Sequence, residues 1–322
     1  MFNKVLITGG LGLIGSHLSE IILDSCQELI IIDNVSTGKI ENLAAIKSQK
    51  IRFIEGSVLN DALLSENMKN VDFCFHLAAS LGVKKILDFP IESLNTNLRG
   101  SENVLLHASR VNTPVFLAST SEIYGKNPKQ PLREDSDRVL GSPLNVRWSY
   151  SEAKALDESM AQMYADRFGL KFVIGRFFNT VGPRQTGEYG MVLPRFVSAA
   201  ILDQDLEVYG DGSQTRVFCH ARDAVSAIMK LVQDESLYGQ IFNIGGEQEI
   251  SIKDLAEMVI RVTDSKSKIK FIPYEEAYSN GFEETFRRVP DTTKLRTATD
   301  WKIEWSLEEI ILDVARSLKF KK

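Results

Sequence analysis

Tyr150 and Lys154 stand four residues apart in a segment, 149–168, that reads as a helix. Four residues is about one turn, so both side chains share a face. An ammonium beside a phenol favours the phenolate. With that help Tyr150 can act as a general base near neutral pH, where a free tyrosine cannot. A further positive charge bound in the same pocket would add to the effect. Taken alone, the pair also fits a helix tyrosine next to an extended lysine. The segment Phe116-Leu117-Ala118 changes the balance, because it runs into Ser119-Thr120-Ser121-Glu122-Ile123-Tyr124-Gly125. Hydroxyls at the carboxyl end of a strand lie where an open parallel sheet collects its ligands. Such a hydroxyl can hydrogen-bond the same substrate oxygen as Tyr150.

A second group of residues points to a dinucleotide. Thr8-Gly9-Gly10-Leu11-Gly12-Leu13-Ile14-Gly15 follows the apolar run Val5-Leu6-Ile7 and precedes a helix-like stretch. That is the strand–turn–helix setting of a dinucleotide fingerprint. Gly9 permits the tight turn, Gly12 lets the backbone approach a pyrophosphate, and Gly15 lets helix and strand pack closely. The free amides of the first helical turn, around Leu13 and Ile14, favour the anion. The next apolar run, Leu29-Ile30-Ile31-Ile32, ends at Asp33. A carboxylate there accepts from both ribose hydroxyls and repels a 2′-phosphate, so the expected cofactor is NAD rather than NADP.

These residues need a scaffold, and the pattern of elements supplies one. Strands are expected near 3–8, 28–33, 51–54, 71–77, 114–118 and 171–177, with helices between them, notably 94–110 and 150–168. The alternation predicts an α/β fold, a doubly wound Rossmann-like parallel sheet with helices on both faces. After about Asn179 the rhythm breaks at Gly182-Pro183-Arg184, Gly187, Gly190 and Gly210-Asp211-Gly212, which suggests a smaller α/β substrate-binding lobe. The expected division is a dinucleotide-binding domain over 1–178, to which 221–245 returns, and a substrate lobe over 179–220 and 246–322. Leu307–Leu318 reads as an amphipathic packing helix.

Composition narrows the function classes. The chain has 322 residues, 43% of them hydrophobic, and a net charge of −5. That length supports a large core, and the acidic sum argues against nucleic-acid binding. Its three cysteines, Cys26, Cys74 and Cys219, are too few and too scattered for a disulfide framework or a metal cluster. They suggest a reducing, cytoplasmic setting, and no metal is expected. The N-terminus enters the first strand directly, and no apolar run is long enough to span a membrane.

With these motifs assembled, the chain resembles an extended short-chain dehydrogenase/reductase of the nucleotide-sugar epimerase, dehydratase and decarboxylase group. The likeness runs over the whole length. It includes Thr8–Gly15, Asp33-Asn34, His76-Leu77-Ala78-Ala79, Asn97, Gly100, Ser119-Thr120, Tyr150-x-x-x-Lys154, Arg176-Phe177-Phe178-Asn179 and Gly182-Pro183-Arg184. The resemblance implies that Asn34, Ser57, Val58, Leu77, Ala78, Ala79 and Asn97 lie at the cofactor. Many relatives carry aspartate where this chain has Ser57, so the adenine contact is expected to differ. The resemblance also implies that Tyr209 and Arg216, in Tyr209-Gly210-Asp211-Gly212-Ser213-Gln214-Thr215-Arg216, belong to a nucleotide-diphosphate loop. Asn179, Arg184 and Arg288 are further substrate ligands on this view.

In this group the sugar is first oxidised at C4, with Tyr150 taking the hydroxyl proton, and the cofactor is later restored. Three outcomes remain open: reduction from the other face, loss of water, or loss of carbon dioxide. Glu122 separates them best. Its segment resembles the STSEVYG stretch of UDP-glucuronate decarboxylases, while plain 4-epimerases usually lack the acid. Dehydratases usually have aspartate where Ser121 stands. Arg287-Arg288-Val289-Pro290-Asp291 resembles the decarboxylases' RKPD region. Against this, Arg147-Trp148-Ser149-Tyr150 and the stretch Gln185–Met191 resemble a bacterial subgroup described as sugar epimerases. The preferred expectation is UDP-glucuronate decarboxylation, with a UDP-sugar 4-epimerase, a 4,6-dehydratase and a non-catalytic NAD sensor as alternatives. A homodimer through the helices near 94–110 and 150–168 is implied by the same resemblance.

Overall fold

Strand β1 (Phe2–Thr8) shows how this sequence builds its scaffold. Val5 and Ile7 enter one core and Leu6 enters another on the opposite face. The same split holds in β2 (Cys26–Asp33), where Leu29 and Ile31 go one way and Ile30 and Ile32 the other. Adjacent residues alternate faces along a strand, so an unbroken apolar run means a sheet buried on both sides.

The computed structural model describes residues 2–44, 46, 48–82, 86, 88–185, 191–277 and 283–319. Gly187 and Gly190, most of the 185–191 stretch, and Gly281-Phe282 lie outside the described residues. After β1 come α1 (Leu13–Ile22), β2, β3 (Ile51–Glu55), α2 (Asp61–Asn67), β4 (Phe73–His76), α3 (Pro90–Arg110), β5 (Val115–Thr120), α4 (Ser149–Phe168) and β6 (Phe172–Phe177). The second part holds β7 (Thr180–Val181), α5 (Val192–Ala200), β8 (Leu206–Tyr209), β9 (Thr215–Val217), β10 (Cys219–His220), α6 (Ala221–Gln233) and β11 (Gln240–Ile244). The chain ends with β12 (Glu249–Ser251), α7 (Ile252–Thr263), β13 (Ile269–Ile272), α8 (Tyr274–Ala277), β14 (Arg287–Arg288), α9 (Thr293–Thr299) and α10 (Leu307–Lys319).

The main sheet has seven strands in the order β11-β6-β5-β4-β1-β2-β3, each pairing parallel with its neighbours. The winding reverses between β1 and β4, and ligands of such sheets bind at the carboxyl ends beside that reversal. The strands expected from sequence are all present. Helix α4 stops at Gly169, which takes the left-handed conformation at φ 72° and so closes the helix without a Cβ penalty.

A second core gathers Val181, Phe196, Leu206, Val208, Leu255, Val259, Ile310, Ile311 and Val314. Helix α10 packs here through its apolar stripe, as its periodicity suggests. The C-terminal stretch is nevertheless divided. Leu295 and Trp301 pack into the large core with residues of α6. The Trp301 indole N–H donates to the Asp223 carbonyl at 3.0 Å, and the Asp223 carboxylate accepts from the amides of Glu304 and Trp305. An indole this large gains more by entering the bigger core, so α9 and Trp301 pack on the large core, whereas β14 stays with β9.

Candidate active site

The loop after β1 is built so that only backbone meets backbone. Gly9 has φ +74°, and a Cβ there would come within 2.6 Å of the Ala78 nitrogen. A Cβ on Gly15 would collide with the Gly9 carbonyl. Gly12 caps α1 with no side-chain hydrogen bond to the first turn, where Leu13 and Ile14 lie. Asp33 is fixed by two amides: Oδ2 accepts from Leu11 at 3.0 Å and Oδ1 from Val35 at 2.9 Å. Each carboxylate oxygen retains acceptor capacity. Asn34 accepts from the Ser36 amide at 3.2 Å. The glycine cradle and the acidic strand end therefore sit together at the reversal point, a donor and acceptor set that fits a dinucleotide.

Other residues expected at the cofactor act on the loops around it. Asn97 accepts from the Ser80 amide at 2.7 Å and donates to the Ser80 carbonyl at 3.1 Å. Its amide is thus committed to the backbone just beyond Leu77-Ala78-Ala79. The Ser57 hydroxyl accepts from the Leu59 amide at 3.1 Å, a turn-forming bond. Val58 is buried, and a Cβ on Gly100 would press against its Cγ2 at 2.6 Å.

Tyr150 and Lys154 lie on the first turns of α4, facing the end of β5. Tyr150 shares a hydrogen bond with Thr120. Ser119, paired with Thr120 in the sequence reading, does something else. Its hydroxyl donates to Glu158 Oε1 at 2.5 Å, and Glu158 holds Arg176 through two hydrogen bonds, at 3.0 and 2.7 Å. The reason is geometric: β5 runs along α4, so Ser119 meets the helix two turns beyond Tyr150. Thr120 is thus the hydroxyl beside Tyr150, whereas Ser119, expected there too, is engaged by Glu158 instead.

The electrostatics also differ from the simple pairing. Burial pushes the Tyr150 phenol above its ordinary value, and the carboxylates of Glu122 and Asp157 push it further. The Lys154 ammonium is engaged by Asp157, Nζ to Oδ2 at 3.0 Å. Lys154 is therefore not a bare cation aimed at the phenol.

Glu122 is the second residue of the single turn Ser121–Tyr124, and its amide donates to Thr120 Oγ1 at 3.2 Å. Its carboxylate lies between two arginines. Arg147 Nη2 is 2.6 Å from Oε2, and Arg288 Nη1 donates to Oε1. All three side chains are largely buried. Burial opposes the charge on Glu122, but the two guanidiniums win and hold the carboxyl well below the usual carboxylate range. Arg288 Nη2 also donates to Asn179 Oδ1 at 3.3 Å. Glu122 and Arg288 stand out in the sequence through their motifs, whereas Arg147, three residues before Tyr150, is an ordinary charge until the fold pairs it with Glu122.

The remaining substrate candidates are less gathered. Arg216 donates to Glu284 at 2.7 Å, and burial lowers its basicity, with Arg288 adding to the effect. β9 and β14 pair Arg216 with Arg288, so the two guanidiniums share one strip. Arg184, at φ 74°, forms an ion pair with Glu20 of α1 and faces the large lobe. Tyr209 ends β8 under the Arg195 guanidinium, 4.2 Å from the ring centre.

Comparison with known proteins agrees with this geometry. The family model described as GDP-mannose 4,6 dehydratase matches residues 6–314. The chain is 43% identical over 297 residues to UDP-N-acetyl-alpha-D-glucosaminuronate decarboxylase of Bacillus cytotoxicus, covering 92% of this chain and 91% of that protein. It is 33% identical over 307 residues to UDP-glucuronic acid decarboxylase 1 of Arabidopsis thaliana, covering 95% and 67%. Among solved structures, UDP-glucuronic acid 4-epimerase from Bacillus cereus, in complex with UDP-glucuronic acid and NAD, superposes with a TM-score of 0.89 at 25% identity, covering 99% and 100%. UDP-N-acetylglucosamine 4-epimerase from Methanobrevibacter ruminantium, in complex with UDP-N-acetylmuramic acid, gives 0.89 at 28% identity, covering 99% of each chain. This chain belongs to the GDP-mannose 4,6-dehydratase family of extended short-chain dehydrogenase/reductases, whose members are NAD-dependent nucleotide-sugar enzymes.

Proposed function

We propose that the chain decarboxylates a UDP-linked uronic acid, with NAD as a recycled cofactor. The observation that carries this reading is Glu122 clamped between Arg147 and Arg288 next to Tyr150. Two buried guanidiniums against one carboxylate leave a net positive site, suited to a second carboxylate. Once that carboxylate shares the arginines with Glu122, two like charges face each other. Loss of neutral carbon dioxide relieves the repulsion, which favours the transition state over the bound acid.

The glycine loop and Asp33 would hold NAD, whose bound form supplies reversible oxidation of a sugar carbinol. Tyr150 accepts the proton of the carbinol oxygen, and Thr120 orients that oxygen through the bond it now makes to Tyr150. A ketone β to the acid stabilises the carbanion left when carbon dioxide departs. Relatives at 43% and 33% identity bear decarboxylase names, which supports the decarboxylase reading.

The second reading, a UDP-sugar 4-epimerase, is favoured by the Bacillus cereus structure, where a uronate is bound and its carboxylate is retained. A UDP-linked substrate, the absence of nucleic-acid and membrane partners, a homodimer and a cytoplasmic setting remain parts of the proposal. Among the described residues no helix is long and apolar enough to cross a membrane. The dimer is supported by exposed apolar side chains on two neighbouring helices: Ile91 and Leu94 on α3, and Leu156 and Met163 on α4.

The deciding experiment is incubation with UDP-glucuronate and, separately, UDP-N-acetylglucosaminuronate, followed by mass spectrometry and NMR. A product lighter by the mass of carbon dioxide is expected from one or both. Inversion at C4 with unchanged mass would replace this reading with the epimerase.

A further inference from the structure

A chain of buried polar groups leads from the glycine-loop strand to Lys154. The Ala78 amide lies 3.4 Å from Thr8 Oγ1, and Thr8 Oγ1 is 2.7 Å from His76 Nδ1. His76 Nε2 is 3.1 Å from Ser101 Oγ, which donates to Asp157 Oδ2 at 2.8 Å. Lys154 Nζ donates to the same Oδ2 at 3.0 Å. Thr8, His76, Ser101, Lys154 and Asp157 are all at most 2% exposed.

The protons in this chain run one way. An ionised carboxylate only accepts, so Ser101 must give it the hydroxyl proton. Ser101 Oγ then accepts from Nε2–H of His76. With its proton on Nε2, a neutral His76 accepts from Thr8 at Nδ1. Burial, with the Lys154 charge behind it, keeps that imidazole neutral by pushing its pKa down to about 3. Every joint is thus specified, from the end of β1 through α3 to α4.

We infer that Asp157 is a positioning residue that keeps Lys154 charged and aimed, and that Ser101, His76 and Thr8 hold Asp157 in register with the cofactor loop. The physical need is plain. A lysine 2% exposed loses its proton unless a counter-charge compensates burial. Other ionisable groups around this corner are already committed. Glu158, on the same helix, is bound to Arg176, and Glu122, after β5, is bound to Arg147 and Arg288. From β4 the neighbour is neutral His76, and from α3 it is the uncharged Ser101. Tyr150 is a neutral phenol in this state. Asp157 Oδ1 makes no hydrogen bond, so the bonds to Ser101 and Lys154 converge on one oxygen.

That convergence makes the test clean. In Asp157→Asn the carboxamide oxygen can replace Oδ2 and accept both bonds, while the charge is lost. The full-length protein, without substrate, is labelled with [13Cε]lysine, and the Lys154 signal is assigned by its disappearance in Lys154→Arg. In Asp157→Asn, Lys154 should release its proton at a pH at least about one unit below that of the unsubstituted protein, the usual scale for one close charge. Ser101→Ala, which loosens Asp157 without touching Lys154, should shift it the same way by less. A variant that misfolds is recognised by its circular dichroism, and the other then carries the test. An unchanged Lys154 titration in the folded variants would overturn the inference. The inference rests on Lys154 belonging to the reacting site, but its readout needs no sugar. Failure of the decarboxylation assay therefore leaves the titration result standing, and the reverse also holds.

Discussion

Glu122 and Arg147 form a buried ion pair, 2.6 Å between Oε2 and Nη2, at the end of the strand that also carries Thr120. Arg288 completes the clamp from the far end of the chain. Glu122→Gln keeps the side-chain size and removes the charge that is proposed to repel a substrate carboxylate. Decarboxylation should slow at least about tenfold, while C4 oxidation slows less, because only the later step gains from the repulsion. Single-turnover absorbance at 340 nm, read beside carbon dioxide release, separates the two. Equal slowing of both would show that Glu122 only shapes the pocket.

Tyr150 sits in a site that favours the neutral phenol, through burial first and then the charges of Glu122 and Asp157. The protonated form therefore persists to higher pH in the free protein, and a bound cation is needed to bring the base into range. Tyr150→Phe should lower turnover at least about a hundredfold with the fold intact. The acid limb of kcat/KM should disappear with it. A variant that keeps near-normal turnover would move the base elsewhere.

Much of this arrangement was legible in the residues, and the reasons are physical. A sheet buried on both faces demands unbroken apolar strands, so β1, β2 and β5 announced themselves. The glycine loop was equally clear, because Gly9 and Gly15 occupy places where a Cβ has no room. Ser119 shows the limit. Adjacent hydroxyls look equivalent in a sequence, but β5 lies along α4, and that angle gives Ser119 to Glu158 and Thr120 to Tyr150. Arg147 and Asp157 were hidden for a related reason. Each is an ordinary charge near a motif until the fold supplies its partner: Glu122 from the turn after β5 for one, Ser101 from α3 for the other.

The apolar side chains exposed on α3 and α4 should be covered by a second copy. Met163 is 65% exposed and Ile91 71%, unusual for a helix pair that is otherwise packed. Light scattering at micromolar concentration should give twice the mass of the chain. Met163→Glu places a charge in the seam and should shift the equilibrium toward monomer. A monomer in the unsubstituted protein would remove the four-helix interface.

Acid should weaken the fold before it weakens the salt bridges. His76 and His220 have folded pKa values near 3 and 4, against 6.5 when free, and His17 is lowered as well. Below pH 6.5 the unfolded chain takes up protons that the folded chain refuses, so stability falls as pH drops through that window. Asp223 works against this. Its folded value near 6 lies above 3.8, so its contribution is greatest in acid and fades as pH rises through 6. His76 and His220 outweigh the raised carboxyls of Asp223 and Asp157, so stability should fall between pH 7 and pH 5. Urea midpoints at the two pH values measure it. NMR should show the His76 ring unprotonated throughout, and a His76 titration near 6.5 would contradict the buried chain to Lys154.

Arg147 offers the sharpest separation of carboxylate recognition from the rest of nucleotide-sugar binding. Its side chain is 7% exposed and paired with Glu122, whereas the proposed diphosphate contacts, Tyr209 and Arg216, lie on β8 and β9. Arg147→Met keeps much of the apolar stem and removes the charge. Truncating one partner of a buried, hydrogen-bonded pair costs roughly 2–5 kcal/mol. Part of that cost falls on Glu122, which keeps Arg288 alone. Affinity for UDP-glucuronate should therefore fall at least about tenfold, while affinity for UDP-glucose, which brings no carboxylate, should change little. Isothermal titration of both ligands gives the ratio directly. If the two affinities fall together, Arg147 supports the pocket without reading the acid. If UDP-glucuronate binding is untouched, the net positive clamp is not where a uronate carboxylate rests, and the decarboxylase reading loses the observation that carries it.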